Sequence, residues 1–229
     1  MKKEVIALAA AGCLTLGAAA HAGEVSLFES LTGTPEDGAS VSPSLGGAPA
    51  YQSFSTGSQA VTLSSLDLVG WVSSLTDGGS MTISLYASNG TAPGAALDVL
   101  GTYADSSLEL YLNGFSVPVS GLDIHLAADT RYWIGISDTP GDSSSFTWAE
   151  RFDNSNTVGA TGQYTGLNGT VIPDPYSLVY DGVTYNFGPM DMAVTGTTTG
   201  SSVPEPATLG LMALGLAAVG FSLRRRRSF

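Results

Sequence analysis

Arg131–Ser137 reads RYWIGIS. Successive side chains of an extended chain point to opposite faces. Tyr132, Ile134 and Ile136 therefore share one face, while Arg131, Trp133 and Gly135 share the other. Aromatic and β-branched residues at period two suit a pleated sheet better than a helix. The same period recurs upstream in SMTISLYAS, where Met81, Ile83 and Leu85 fall together, and downstream in MDMAV, where Met190, Met192 and Val194 do.

Working outward, further strands are predicted at 25–31, 51–56, 61–69, 97–103, 108–117, 145–152 and 177–187. The last is interrupted by Asp181-Gly182, a hairpin turn signal. SNGTAPG (88–94) and DTPGD (138–142) read as turns, since glycine and proline preset turn dihedrals. Eight or more short strands with no convincing helix predict an all-β fold, an antiparallel β-sandwich of jelly-roll-like kind.

Both ends read as processing segments. Lys2 and Lys3 precede an apolar run from Val5 to Ala20, and Ala20-His21-Ala22 is a small-x-small cleavage pattern before Gly23. Residues 1–22 are thus read as a secretory signal peptide, cut by signal peptidase after export through the Sec translocon. AAGC, ending at Cys13, resembles a lipoprotein signal. Ala10 stands where such signals favour a large aliphatic residue, however, and the apolar run continues to the better site. Cys13 is the one cysteine of the 229-residue chain. Its removal leaves a body with no disulfide and no thiolate chemistry.

Six of the eight bases lie in the terminal segments, so Arg131 and Arg151 alone remain between Gly23 and Val203. Eighteen of the 20 acids fall in that span, and 18 against 2 leaves −16. Such a surface repels phosphate backbones, which excludes nucleic acid as a partner. A span of about 180 residues is large enough to bury roughly 70% of its unfolded surface without disulfides.

The C-terminal 27 residues, VPEPATLGLMALGLAAVGFSLRRRRSF, combine three features. Pro204-Glu205-Pro206 forces extended backbone. Ala207–Leu223 is uncharged, and as a helix it spans about 26 Å, slightly short of a hydrocarbon core. Arg224, Arg225, Arg226 and Arg227 then act as a stop-transfer clamp that stays on the cytoplasmic side. In that order these features resemble the PEP-CTERM sorting signal. The resemblance implies recognition by an exosortase in a Gram-negative, exopolysaccharide-producing bacterium. The tail would hold the chain in the inner membrane transiently and then be removed or exchanged.

Thr195–Ser202, TGTTTGSS, reads as a flexible linker. The expected organisation is a signal peptide at 1–22, a β domain at 23–194, the linker at 195–202 and the sorting signal at 203–229. Within the body, YQSFSTGSQAVTLSSLDL, MTISLYASNGTAPGAAL and LAADTRYWIGIS, in that order, resemble the choice-of-anchor R type of exported β domain over roughly 51–148. That resemblance implies fold and location, and no enzymatic activity.

Candidate chemistry in the body is sparse. His125, in LDIHL, lies two residues from Asp123 and is read as sharing its strand face. No G-x-S-x-G elbow accompanies them, so a partly exposed strand histidine is the preferred reading over a triad. Glu109 and Glu150 are read as solvent-facing strand acids rather than a glycosidase pair. No catalytic residue is assigned, and the body is expected not to be an enzyme. Asp138, Asp142 and Asp153 lie in turn-rich segments and are candidate ligands for a structural calcium, which prefers loop oxygens; no other cofactor is expected. Trp71, Trp133 and Trp148, with several tyrosines, are candidate sugar-stacking residues on one sheet face, nearby Asp and Asn gripping hydroxyls, against the alternative that the tryptophans are core. Asn89 and Asn168 each open an NGT triplet, a possible glycosylation acceptor.

The reading that follows is an exported, non-enzymatic surface or extracellular-matrix protein, displayed within exopolysaccharide. Its alternatives are a carbohydrate-binding module of the same matrix and, third, a polysaccharide hydrolase.

Overall fold

A computed structural model describes residues 23–31, 37–41, 49–75, 78–108, 113–117, 123–139, 146–150, 157–159, 161–167, 169–173, 177–180, 183–186 and 188–198. They belong to one unit, Ala22–Thr199. The segments read as signal peptide and sorting signal, 1–22 and 203–229, lie outside the described residues.

The first sheet is organised by β4 (Val61–Val72), VTLSSLDLVGWV. Val61 and Leu63 point inward, and so do Leu66, Leu68 and Val72. Strict alternation would put those two groups on opposite faces. The doubled serine absorbs the mismatch, because Thr195 pairs with Ser65 and the next residue, Gly196, pairs with Leu63. Ser64 is thus the extra residue of a β-bulge. The hydroxyls of Ser64 and Ser65 both meet Thr195 Oγ1, at 2.9 and 2.6 Å.

Both edges of β4 are occupied. On one edge lie β15 (Met192–Thr198) and β10 (Phe146–Glu150), flanked in turn by β1 (Glu24–Glu29) and β2 (Asp37–Val41). On the other lie β7 (Asn113–Val117) and β8 (His125–Leu126). The second sheet runs β12 (Thr170–Pro173), β11 (Tyr164–Leu167), β3 (Ala50–Ser55), β9 (Arg131–Asp138), β5 (Ser80–Asn89) and β6 (Ala92–Ala104). A separate hairpin pairs β13 (Ser177–Tyr180) with β14 (Val183–Asn186). All these pairings are antiparallel, as an all-β reading requires.

The inward rows of the two sheets meet in one core. Leu66, Leu68, Phe146, Trp148, Met192 and Val194 of the first sheet join Phe54, Met81, Ile83, Leu85, Ile134 and Ile136 of the second. Phe54 and Tyr132 stack within it, 6.0 Å apart. Two buried polar side chains tie the segment before β15 in place. Ser30 Oγ donates to the Met190 carbonyl and accepts from the Met192 N–H, each at 2.9 Å. Gln52 Oε1 accepts from the Met190 N–H at 3.0 Å and from Thr165 Oγ1 at 2.7 Å.

Several expectations need correction. The linker read at Thr195–Ser202 begins too early, since Thr195–Thr198 complete β15 between β1 and β4. Polar, glycine-containing sequence reads as coil, but here its threonines sit half-buried in a strand paired on both edges. The turn read over SNGTAPG is confined to Gly90 and Thr91, with Ala92 already paired to Asn89. The segments β2, β11 and β12 were not expected. Glu150, read as solvent-facing, is 5% exposed on an inward position of β10.

Leu66 is fully buried at the middle of β4. Leu66→Ala is expected to cost about 3 kcal/mol through lost burial and a residual cavity. Thr62→Ala, on the outward face of the same strand, is expected to change stability by less than about 0.5 kcal/mol. Urea unfolding of the three proteins checks both values.

Candidate functional site

The outward face of the second sheet carries an unusual set of side chains. Arg131, Trp133, Gly135 and Ser137 of β9 point away from the core, opposite Tyr132, Ile134 and Ile136. Register places Ser53 beside Trp133, and both Tyr51 and Ser84 beside Gly135. Tyr86 sits opposite Trp133 on the other side, and Tyr51 continues to Gly166 of β11.

The aromatic rings form a continuous strip. Tyr86 and Tyr51 meet edge-to-face at 5.2 Å, and Tyr51 meets Trp133 edge-to-face at 6.4 Å. Trp133 stacks with Tyr164 at 6.2 Å, and the Arg131 guanidinium lies 4.6 Å from the Tyr164 ring centre. These are the separations at which ring quadrupoles and a cation attract. Gly135 makes the strip possible. A Cβ there would stand 2.6 Å from both the Tyr51 and Tyr86 rings, so the missing side chain is what lets them settle on the sheet.

Trp133 is completely covered, whereas Tyr51, Tyr86 and Tyr164 are half-buried. The Trp133 indole N–H donates to Ser88 Oγ at 3.1 Å. Arg131 fastens the two loops at its end of the strip, donating to the Gly90 carbonyl at 3.3 Å and the Gly162 carbonyl at 2.7 Å. Gln163 bridges Ser53 and Ser55 of β3, at 2.8 Å each.

A second strip, of hydroxyls, lies alongside. Thr82 pairs with Ser137 on one side and Thr102 on the other, and the two threonine hydroxyls are 3.2 Å apart. Across the described outward strand positions of this sheet no acid appears, although the body carries 18. The first sheet differs, since its outward face carries Glu24 and Asp67.

The three tryptophans do not share a face. Trp148 belongs to the core, with its indole N–H on the Asp191 carbonyl at 3.0 Å. Trp71 lies on the outward side of the first sheet and reaches over Gly38. Trp133 alone of the three lies in the aromatic strip. The tyrosines, expected beside the tryptophans only as a residue type, are Tyr51, Tyr86 and Tyr164; Tyr51 and Tyr86 alternate with core residues in two predicted strands.

His125 and Asp123 do come together, but not as neighbours on one strand. Asp123 precedes β8 with φ of 48° and reaches the ring from there. Its Oδ1 is 3.3 Å from His125 Nε2, and Thr62 Oγ1 is 3.0 Å from Nδ1. Both acid and imidazole are well exposed, at 83% and 64%, where water screens the pair. Asp138 ends β9 and accepts from the Thr139 N–H at 2.9 Å. Asp142, Asp153 and Glu109 lie outside the described residues, and no cluster of three potential metal ligands occurs among the described ones.

Ala20, Ala22, Pro204, Glu205, Pro206 and Arg224–Arg227 also lie outside the described residues. Gly23 is described, and its N–H donates to Thr198 Oγ1 at 3.1 Å. Thr198 returns its own N–H to the Gly23 carbonyl at 2.9 Å, so the first and last described residues are paired. Near them Val25, Leu27, Ser55, Gln59, Val61 and Thr198 line an open cleft of about 270 Å³. Among the described residues no helix is long and apolar enough to cross a membrane.

Burial first, and then the neighbouring Tyr86 charge and hydroxyl, push the Tyr51 hydroxyl from 10.0 up to about 12. Below pH 10 the proton stays on in both the folded and unfolded chain, so this contribution is fully present. Between pH 10 and 12 only the unfolded chain releases it, and stability falls as pH rises through that window. Urea midpoints at pH 9 and pH 11 are expected to fall less for Tyr51→Phe than for the wild type.

Residues 202–227 match the model of the PEP-CTERM protein-sorting motif. No curated protein and no solved structure matches the chain. The motif marks an exported, surface-directed protein that an exosortase recognises.

Proposed function

We propose that the chain is a non-enzymatic surface or extracellular-matrix protein, exported through the Sec translocon, cut by signal peptidase before Gly23 and sorted by an exosortase. The motif at 202–227 carries this reading. Its parts have distinct tasks. Pro204-Glu205-Pro206 is the segment the enzyme would recognise, the apolar 207–223 run would partition into the inner membrane, and Arg224–Arg227 would stay on the cytoplasmic side. The body then passes to the cell surface or an exopolysaccharide matrix. Its two sheets are read as a jelly-roll-like sandwich, and its likeness to choice-of-anchor R domains supports the same location.

The carbohydrate-binding alternative has one observation in its favour, the acid-free aromatic face of the second sheet. The hydrolase alternative draws no support from His125, held at the surface between Thr62 and Asp123. A structural calcium rests on Asp142 and Asp153 joining Asp138, which supplies few oxygens alone.

Replacing Pro204, Glu205 and Pro206 together by alanine tests the sorting reading in the native host. The protein is expected to accumulate in the inner-membrane fraction, with at least a tenfold drop at the surface and in the medium. Unchanged partition of the variant would remove exosortase sorting as its route.

A further inference from the structure

We propose that the outward face of the second sheet binds a neutral glycan chain through Tyr51, Tyr86 and Tyr164. This rests on the carbohydrate-binding reading and adds to it the face, the residues and the ligand class. A pyranose ring has two kinds of surface. Its C–H groups form apolar faces with slight positive charge, and its hydroxyls ring the edge. An aromatic face carries the complementary negative quadrupole. A sugar chain therefore calls for rings and hydroxyls side by side, and the strips described above supply both. Tyr86, Tyr51 and Tyr164 follow one another across β5, β3 and β11 with Trp133 packed among them. Thr82, Ser137 and Thr102 run beside them.

The rings are held ready. Gly135 lets Tyr51 and Tyr86 rest on the sheet, while Arg131 packs on Tyr164 and pins both adjoining loops. Binding then orders few side chains, which limits its entropic cost. Arg131 is a positioning residue here, since its guanidinium is already engaged by Tyr164 and two carbonyls.

Charge selects the class. A body of −16 repels polyuronates and sulfated chains at long range. The face itself, with no acid among its described strand residues, imposes no such penalty on an uncharged chain. An extended peptide is less well suited, because this face offers packed rings and fixed hydroxyls rather than apolar pockets for alternate side chains.

The test uses the full-length protein in mild detergent and affinity electrophoresis through gels containing dextran, laminarin, galactomannan or xylan, with alginate as the acidic polymer. Retardation is expected in at least one neutral gel and not in alginate. Tyr51→Ala and Tyr164→Ala are each expected to weaken it at least tenfold. Asp98→Asn, on the exposed edge strand, should leave it unchanged. Tyr51→Phe keeps the ring and is expected to retain binding, which separates loss of stacking from loss of folding. Trp133 fluorescence should shift on adding the retained polymer, and this shift should be absent in Tyr164→Ala protein that still unfolds cooperatively. No retardation in any neutral gel would overturn carbohydrate binding altogether. Retardation that survives both alanine changes would overturn this site while leaving that reading in place. Stronger retention by alginate would overturn the neutral class. None of these outcomes bears on sorting, which is read by cell fractionation.

Discussion

One strand with both edges filled holds the first sheet together. β4 is bordered by β15 and β10 on one side and by β7 and β8 on the other, and its inward leucines reach the strands of the second sheet. Its neighbours come from across the chain. β15 closes against β4 from about 130 residues away, as the Ser65–Thr195 contact shows, and carries β1 on its outer edge. Such closure brings loop entropy early and contacts late, so this topology belongs among slowly folding ones. The bulge at Ser64 is the local feature that keeps both halves of β4 facing inward.

The sheets then present different outward faces. On the first, Ser64 and Ser65 both bond to Thr195, and Glu24 and Asp67 keep the surface acidic. On the second, glycine at 135 and tyrosine at 51 and 86 form a layer of rings that shields Trp133. Burial of the Tyr51 hydroxyl is strong enough to shift its ionisation. The same alternation that fills the core thus builds a second, smaller aromatic layer outside it.

Alternation made much of this legible in the sequence. RYWIGIS and SMTISLYAS form strands with the expected residues sharing a face, and the strand predicted at 61–69 lies within β4. What escaped has physical causes. β11 and β12 are four residues each, and the NGT triplet at 168–170 reads in the sequence as a glycosylation acceptor. Gly169, at φ of 78°, supplies the conformation a tight turn needs. β2 is short and contains glycine, and it is ordered by β10 rather than by its own propensity. TGTTTGSS looks like coil because a strand whose neighbours supply the core needs few apolar residues of its own. The tryptophans could not be assigned to faces from residue type alone. Position decides, since Trp148 falls inward, and Trp71 and Trp133 fall outward on different sheets.

The pairing of Gly23 with Thr198 gives the ends of the body a common place. The most direct measurement is the intact mass of the protein from its native cells, with cell-bound and released fractions kept separate. A species that starts at Gly23 and ends near Pro204–Pro206, or carries a modification there, is the expected result. Cell-bound protein that still contains Arg224–Phe229, with no trimmed species in either fraction, would contradict exosortase processing and make the tail a lasting membrane anchor.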